Sequence, residues 1–166
     1  MATTFASRLF SGAAATAAAG ALVLSASPAH ATSSSQSWNI NGGYKATVNA
    51  WHCGVYVKAC DWKTSTKLYK GKSRTKATWI QSRAIVKSHG VGASLEISKS
   101  PSIKIYSKTK DKAEYRWRNT NTWISDASGQ VKPGWSATHI STKSCGALKI
   151  GKNINFKEKC VTAGAF

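Results

Sequence analysis

The chain has 166 residues and carries 24 Lys and Arg against six Asp and Glu, a net charge of +18. That length fits one domain, large enough to bury a substantial core. The charge points to an anionic partner (nucleic acid, teichoic acid, anionic lipid or an acidic protein) and also serves solubility.

Residues 1–31 read as an export signal. Arg8 and the amino terminus supply positive charge, an Ala-rich apolar run ends in Ala21-Leu22-Val23-Leu24, and Ala29-His30-Ala31 is an A-x-A cleavage pattern. Cleavage after Ala31 leaves residues 32–166 with a net charge of +17. The apolar run is too short and too diluted by Ala to span a bilayer, and no later segment is apolar enough, so a secreted, extracellular protein with no transmembrane segment is expected. Cys53, Cys60, Cys145 and Cys160 all follow the cleavage site, as an oxidising compartment favours. Four cysteines allow three pairings, and the local ones, Cys53–Cys60 and Cys145–Cys160, are favoured because each can close a hairpin. Neither pair has the C-x-x-C spacing of a zinc site, and no metal or cofactor is expected.

Thr32-Ser33-Ser34-Ser35-Gln36-Ser37 carries no charge and no apolar side chain, so it reads as a flexible N-terminal extension of a single domain over 38–166. Trp38-Asn39-Ile40 begins the ordered part, and Asn41-Gly42-Gly43 is a turn. From Tyr44 to Trp51 the side chains alternate, with Tyr44, Ala46, Val48 and Ala50 on one face and Lys45, Thr47 and Asn49 on the other, as in a half-buried strand. Next comes Trp51-His52-Cys53-Gly54-Val55-Tyr56-Val57-Lys58-Ala59-Cys60-Asp61-Trp62. Its Val-Tyr-Val centre reads as a strand through the core, with Trp51 and Trp62 filling the space around it. Residues 63–76 hold Lys63, Lys67, Lys70, Lys72, Arg74 and Lys76 with no acid, and read as a long cationic hairpin loop or a lysine-guarded edge.

Thr78 to Lys87 alternates again, Ile80, Ala84 and Val86 against Trp79, Arg83 and Ile85. Ser88-His89-Gly90-Val91-Gly92 is its turn, Ala93 to Ile97 is a strand, and Ser100-Pro101 breaks it before Ile103, Ile105 and Ser107. In Ala113 to Asn119, Tyr115 and Trp117 share one face and Glu114, Arg116 and Arg118 the other, and Thr120 to Ile124 carries Trp123. Asp126-Ala127-Ser128-Gly129 and Lys132-Pro133-Gly134 read as turns. Trp135 to Thr142, Gly146 to Ile150 and Ile154 to Cys160 close the domain as short strands. About nine short antiparallel strands and no amphipathic helix predict an all-β, disulfide-bridged sandwich or barrel.

No catalytic signature is complete. His52, His89 and His139 have no spacing that links them as acid and base of a nuclease, and the chain lacks G-x-S-x-G and H-E-x-x-H. Satisfied or solvated histidines account for them more simply, and a non-enzymatic protein is expected. Seven tryptophans suit stacking on sugar rings of a cell-wall polymer or glycan, although a small β domain also uses them as core. Tyr115, Arg116, Trp117, Arg118 and Trp123 are of the types that dominate protein interfaces. Trp38 and Ile40 lie just after the uncharged lead, which can dock as an added strand on a partner.

The export signal, two cysteine pairs and Trp/Lys/Thr/Ser-rich strands resemble small secreted proteins of streptomycete-like bacteria. Within that group the layout is similar to the small adaptor subunit of umbrella toxin particles, Thr32–Ser37 matching its extension and residues 38–166 its compact β domain. The resemblance, one of layout without a diagnostic motif, implies a protein that joins a lectin-like subunit to a toxin-bearing subunit in a secreted antibacterial complex. The reading is therefore a secreted binding protein, an adaptor for partners with an acidic surface. The alternatives are a cationic wall- or glycan-binding antimicrobial and a secreted nuclease toxin.

Overall fold

A computed structural model describes residues 32–52, 59–99 and 105–164. The signal segment, Cys53, the Val55-Tyr56-Val57 strand and the Ser100-Pro101 break lie outside the described residues. The rest is all β. In chain order the strands are β1 (Thr32–Ile40), β2 (Tyr44–His52), β3 (Cys60–Lys70), β4 (Ser73–Arg74), β5 (Ala77–His89), β6 (Leu95–Lys99), β7 (Ile105–Lys108), β8 (Lys112–Thr122), β9 (Ile124–Pro133), β10 (His139–Ile150) and β11 (Ile154–Gly164). They form two antiparallel sheets: β1-β2-β3-β9-β6, with β4 paired to β3, and β11-β10-β5-β8-β7. The sheets pack face to face, β2 against β10 and β11 and β3 against β5 and β10. Among the described residues no helix is long and apolar enough to cross a membrane.

Period-two patterning fixes which side chains enter the space between the sheets. Ala46, Val48 and Ala50 point in from β2, and Ile80, Ala84 and Val86 from β5, all fully buried. Trp62 and Tyr115 stack across the gap with ring centroids 4.7 Å apart. Leu68, Ile80, Leu148 and Phe156 form a second apolar cluster, and Val48, Ala50, Val161 and Ala163 a third. Buried hydroxyls stand among them, Ser82 donating to Thr64 at 3.2 Å and Thr142 meeting His52 Nδ1 at 3.2 Å. Cys145 and Cys160 lie directly opposite on β10 and β11 and form the expected disulfide.

Several expectations change. Residues 32–37 are the first part of β1, in continuous register with β2 from Thr32↔His52 to Ile40↔Tyr44. An uncharged serine run can satisfy its backbone on an open sheet edge, and here Ser35 donates to Asn49 Oδ1 at 2.6 Å while Ser37 and Thr47 hydroxyls meet at 2.8 Å. Trp51 and Trp62 belong to two adjacent strands. Trp62 faces inward at 2 % exposure, whereas Trp51 faces outward at 36 %. Much of the cationic stretch is not loop: Lys63 to Lys70 lies in β3, flanked by β2 and β9, and the hairpin is confined to the turn at Gly71 and Lys72 that leads into β4. Its inward residues Thr64, Thr66 and Leu68 are buried, and Lys63 and Lys67 alternate outward. Asp126–Gly129 is strand β9 rather than a turn. Gly129 is there for space, because a Cβ would lie 2.8 Å from Trp62 Cζ2. Gly146, expected to begin a strand, sits inside β10 where a Cβ would meet Thr66 and Val48 at 2.5 and 2.6 Å. These small residues let the sheets close, and eleven strands form among the described residues where about nine were expected, with β3, β5, β8, β10 and β11 running 11 to 13 residues rather than short.

Candidate functional site

The outward face of the second sheet carries the most developed arrangement. On β5 the outward residues are Trp79, Gln81, Arg83, Ile85 and Lys87, and across from them on β8 stand Thr120, Arg118, Arg116, Glu114 and Lys112. Arg83 is held from two sides, by Glu158 on β11 through Nε (3.1 Å) and Nη2, and by Glu114 at 3.3 Å. Partial burial works against its charge, but the hydrogen bonds it donates to Glu158 and Glu114 prevail and raise its pKa. This residue is a structural rivet.

Arg116 and Arg118 are different. Each lies over an aromatic ring: Arg116 Cζ is 4.0 Å from the centroid of Tyr106 and Arg118 Cζ is 4.4 Å from that of Trp79. Arg118 donates through Nε and Nη2 to Gln81 Oε1 at 3.3 and 3.1 Å, which fixes its plane. Arg116 touches Glu114, already shared with Arg83, at 3.8 Å. Together with Gln81 and Ile105 they line an open groove of about 500 Å³. Tyr106 is 61 % and Ile105 44 % exposed. A planar guanidinium backed by an aromatic ring is oriented before a ligand arrives and suits bidentate pairing with a carboxylate.

Of the other candidate partner residues, Tyr115 is fully buried against Trp62 and is out of reach; burial pushes its phenol pKa up. Trp117 is 39 % exposed, but it shares the inward side of β8 with Tyr115. Trp38 and Ile40 pack on the core, Trp38 with Phe156 at 5.9 Å between centroids. Trp123 lies near Tyr69 (6.1 Å) under Arg74 (4.3 Å), so it belongs with β3 and β4 and not with the groove. Sequence reasoning missed Tyr106, Trp79 and Gln81. Trp79 and Gln81 were legible as outward residues of an alternating strand, but their partners on β8 required the β5–β8 register.

The cationic run is dispersed. Lys63 and Lys67 face outward on the first sheet, Lys63 Nζ 5.9 Å from the Trp51 ring. Lys70 Nζ is 5.3 Å from the Tyr44 ring, Lys72 is exposed in the turn before β4, and Lys76 is exposed ahead of β5.

Two histidines without a linking spacing do come together. The β5–β10 register sets His89 opposite His139, and their rings stack 4.2 Å apart at 5°. His89 Nε2 meets Ser141 Oγ at 2.8 Å. His89 borders a cavity of about 340 Å³ with Lys87, Lys110 and Asp111, and Asp111 pairs with Lys87 at 3.9 Å. Burial, then His139 and Lys87, lower the His89 pKa. His52 lies inside the sandwich, where burial foremost and His139 next lower its pKa to about 4. Among the described residues, one group of three has metal-ligand types, Cys145, Glu158 and Cys160. Its sulfurs form the disulfide and Glu158 holds Arg83, so it offers no ligand set.

No protein-family model matches the chain, and no curated protein matches its sequence.

Proposed function

We propose that the chain is an exported, non-enzymatic binding protein that acts as an adaptor in an extracellular complex of the antibacterial toxin kind, docking an acidic protein partner on the outer face of its second sheet. The observation that carries this reading is the pair of aromatic-backed guanidiniums, Arg116 on Tyr106 and Arg118 on Trp79, beside one groove. Arg, Tyr and Trp are the residues that dominate binding energy at protein interfaces. Their pre-set geometry reduces the ordering that association requires. Net charge supports fast encounter with an acidic surface.

The test is recovery of the native protein from culture medium at moderate salt. An adaptor elutes with partner chains in fixed stoichiometry, and the Arg116→Ala/Arg118→Ala variant elutes alone. Elution of the wild type as a lone chain at every salt concentration contradicts the reading. A nuclease is the second reading, on the strength of the stacked His89 and His139. It requires RNA or DNA degradation that disappears in His89→Ala.

A further inference from the structure

One end of the sandwich holds two apolar side chains out in solvent. Trp135, between β9 and β10, is 100 % exposed, and Val91, between β5 and β6, is 97 % exposed. Every other tryptophan is at most 39 % exposed.

The exposure is built into the backbone. Each residue takes the second position of a tight turn. Ala93 N–H donates to Gly90 O at 3.2 Å around Val91, and Ala137 N–H donates to Gly134 O at 3.0 Å around Trp135. The two turns are strapped together. Thr138 donates to His89 O through its N–H (2.7 Å) and its hydroxyl (3.1 Å), and Gly134 N–H donates to Ser94 O at 2.9 Å. Gly90 has φ 131° and would bring a Cβ within 2.5 Å of Ser136 O, so the turn backbones lie against each other. Val91 and Trp135 are therefore the tips of one double projection.

The β7–β8 turn stands beside it. Ser88 N–H donates to Asp111 O and Leu95 N–H to Lys110 O, both at 2.8 Å. Lys110 shares the cavity of about 340 Å³ with Gly90 and Gly92, which places a cation next to the Val91 tip. Lys87, Lys108, Lys110, Lys112 and Lys132 surround this end. Its two acids are Asp111, paired with Lys87 at 3.9 Å, and Glu96, which lies opposite Lys132. Lys108 and Lys110 are exposed.

A protein partner buries a contiguous apolar patch, but the chain neighbours of these tips are Gly90, Gly92, Gly134 and Ser136. A sugar site needs several polar groups converging beside the ring, and the same glycines supply none. A bilayer interface needs only what is present: an indole that reaches the headgroup level, a second apolar side chain beside it, and lysines behind them to meet anionic lipid.

We propose that this end of the sandwich docks on an anionic lipid bilayer, with Trp135 and Val91 entering the headgroup boundary and Lys108 and Lys110 meeting lipid phosphates. This goes beyond the adaptor reading and stands on separate residues.

Flotation of the mature protein with vesicles tests it, comparing phosphatidylcholine alone with an equal mixture of phosphatidylcholine and phosphatidylglycerol. The expected result is salt-sensitive binding to the mixture and binding at least about tenfold weaker to phosphatidylcholine. Tryptophan emission shifts to the blue on the mixture and is quenched by brominated lipid. Trp135→Ala abolishes both signals and weakens partitioning about tenfold, with an unchanged melting temperature because the indole packs on nothing. Val91→Ser weakens it about threefold. Lys108→Gln/Lys110→Gln weakens it roughly tenfold. Lys72→Gln/Lys152→Gln removes equal charge from turns at the far end and changes binding by less than about twofold. The proposal is overturned if neither vesicle binds, if both bind equally, if Trp135→Ala binds as wild type does, or if the two lysine variants lose binding equally. It is also overturned if Trp135→Ala keeps vesicle binding and loses a co-purifying protein.

Discussion

Burial holds the His52 imidazole neutral, with a pKa of about 4 against an ordinary value of 6.5. Between those values the unfolded chain takes up a proton that the folded protein refuses. Stability is therefore full above pH 6.5 and falls as pH drops toward 4, by about 3 kcal/mol in all. The lowered value of His89 acts in the same direction. Urea denaturation at pH 7, 5.5 and 4 measures the fall, and His52→Gln flattens it; equal midpoints at all three pH values contradict the assignment. Gly129 makes a steric claim. Gly129→Ala places a methyl against Trp62 and destabilises by about 1–3 kcal/mol, read from the same denaturation curves. A neutral result means that the indole has room to move. Neither point was fully legible from the chain. Gly129 sits in Asp-Ala-Ser-Gly, a run with turn chemistry, and only the indole lying over it on the neighbouring strand explains the residue.

At the scale of elements, β1 carries the sharpest reversal. Its serines bond along β2, so deleting residues 32–37 removes native structure rather than a loose lead. The deletion lowers the melting temperature, because it removes the ladder with β2 and the Ser35–Asn49 and Ser37–Thr47 bonds and leaves the β2 edge unpaired. An unchanged melting temperature restores the flexible reading. Removing the Cys145–Cys160 bridge, sequence separation 15, costs about 3 kcal/mol on the loop-entropy account, which chemical denaturation of the double Cys→Ser variant checks. A midpoint equal to wild type shows that the β10–β11 pairing alone holds the hairpin. Alternation found β2 and β5 because their inward faces are Ala, Val and Ile. It failed for β3 and β9, whose inward positions include Thr64, Thr66, Ser125 and Gly129. Hydroxyls and glycine read as loop, yet between close-packed sheets they are what fits. Cys145 and Cys160, by contrast, were legible as a hairpin staple.

The whole molecule is a sandwich with two differently equipped outer faces. Patterning could say which residues point out, but not which strands lie side by side. Arg116 and Trp79 come from strands that the sequence separates and the β5–β8 register unites. For the same reason His89 and His139 looked unrelated, and Trp123 looked like a neighbour of Arg118 although it lies by Tyr69. The most direct measurement is the affinity of the co-purifying partner for wild type, Arg116→Ala/Arg118→Ala and Lys63→Gln/Lys67→Gln, by surface plasmon resonance at two salt concentrations. If the groove is the docking site, the double arginine variant binds at least about 30-fold more weakly, chiefly through faster dissociation, and melts as wild type does. The lysine variant changes the association rate modestly, since charges away from the contact mainly steer. Wild-type affinity in the arginine variant, or a larger loss in the lysine variant, contradicts the assignment of that face.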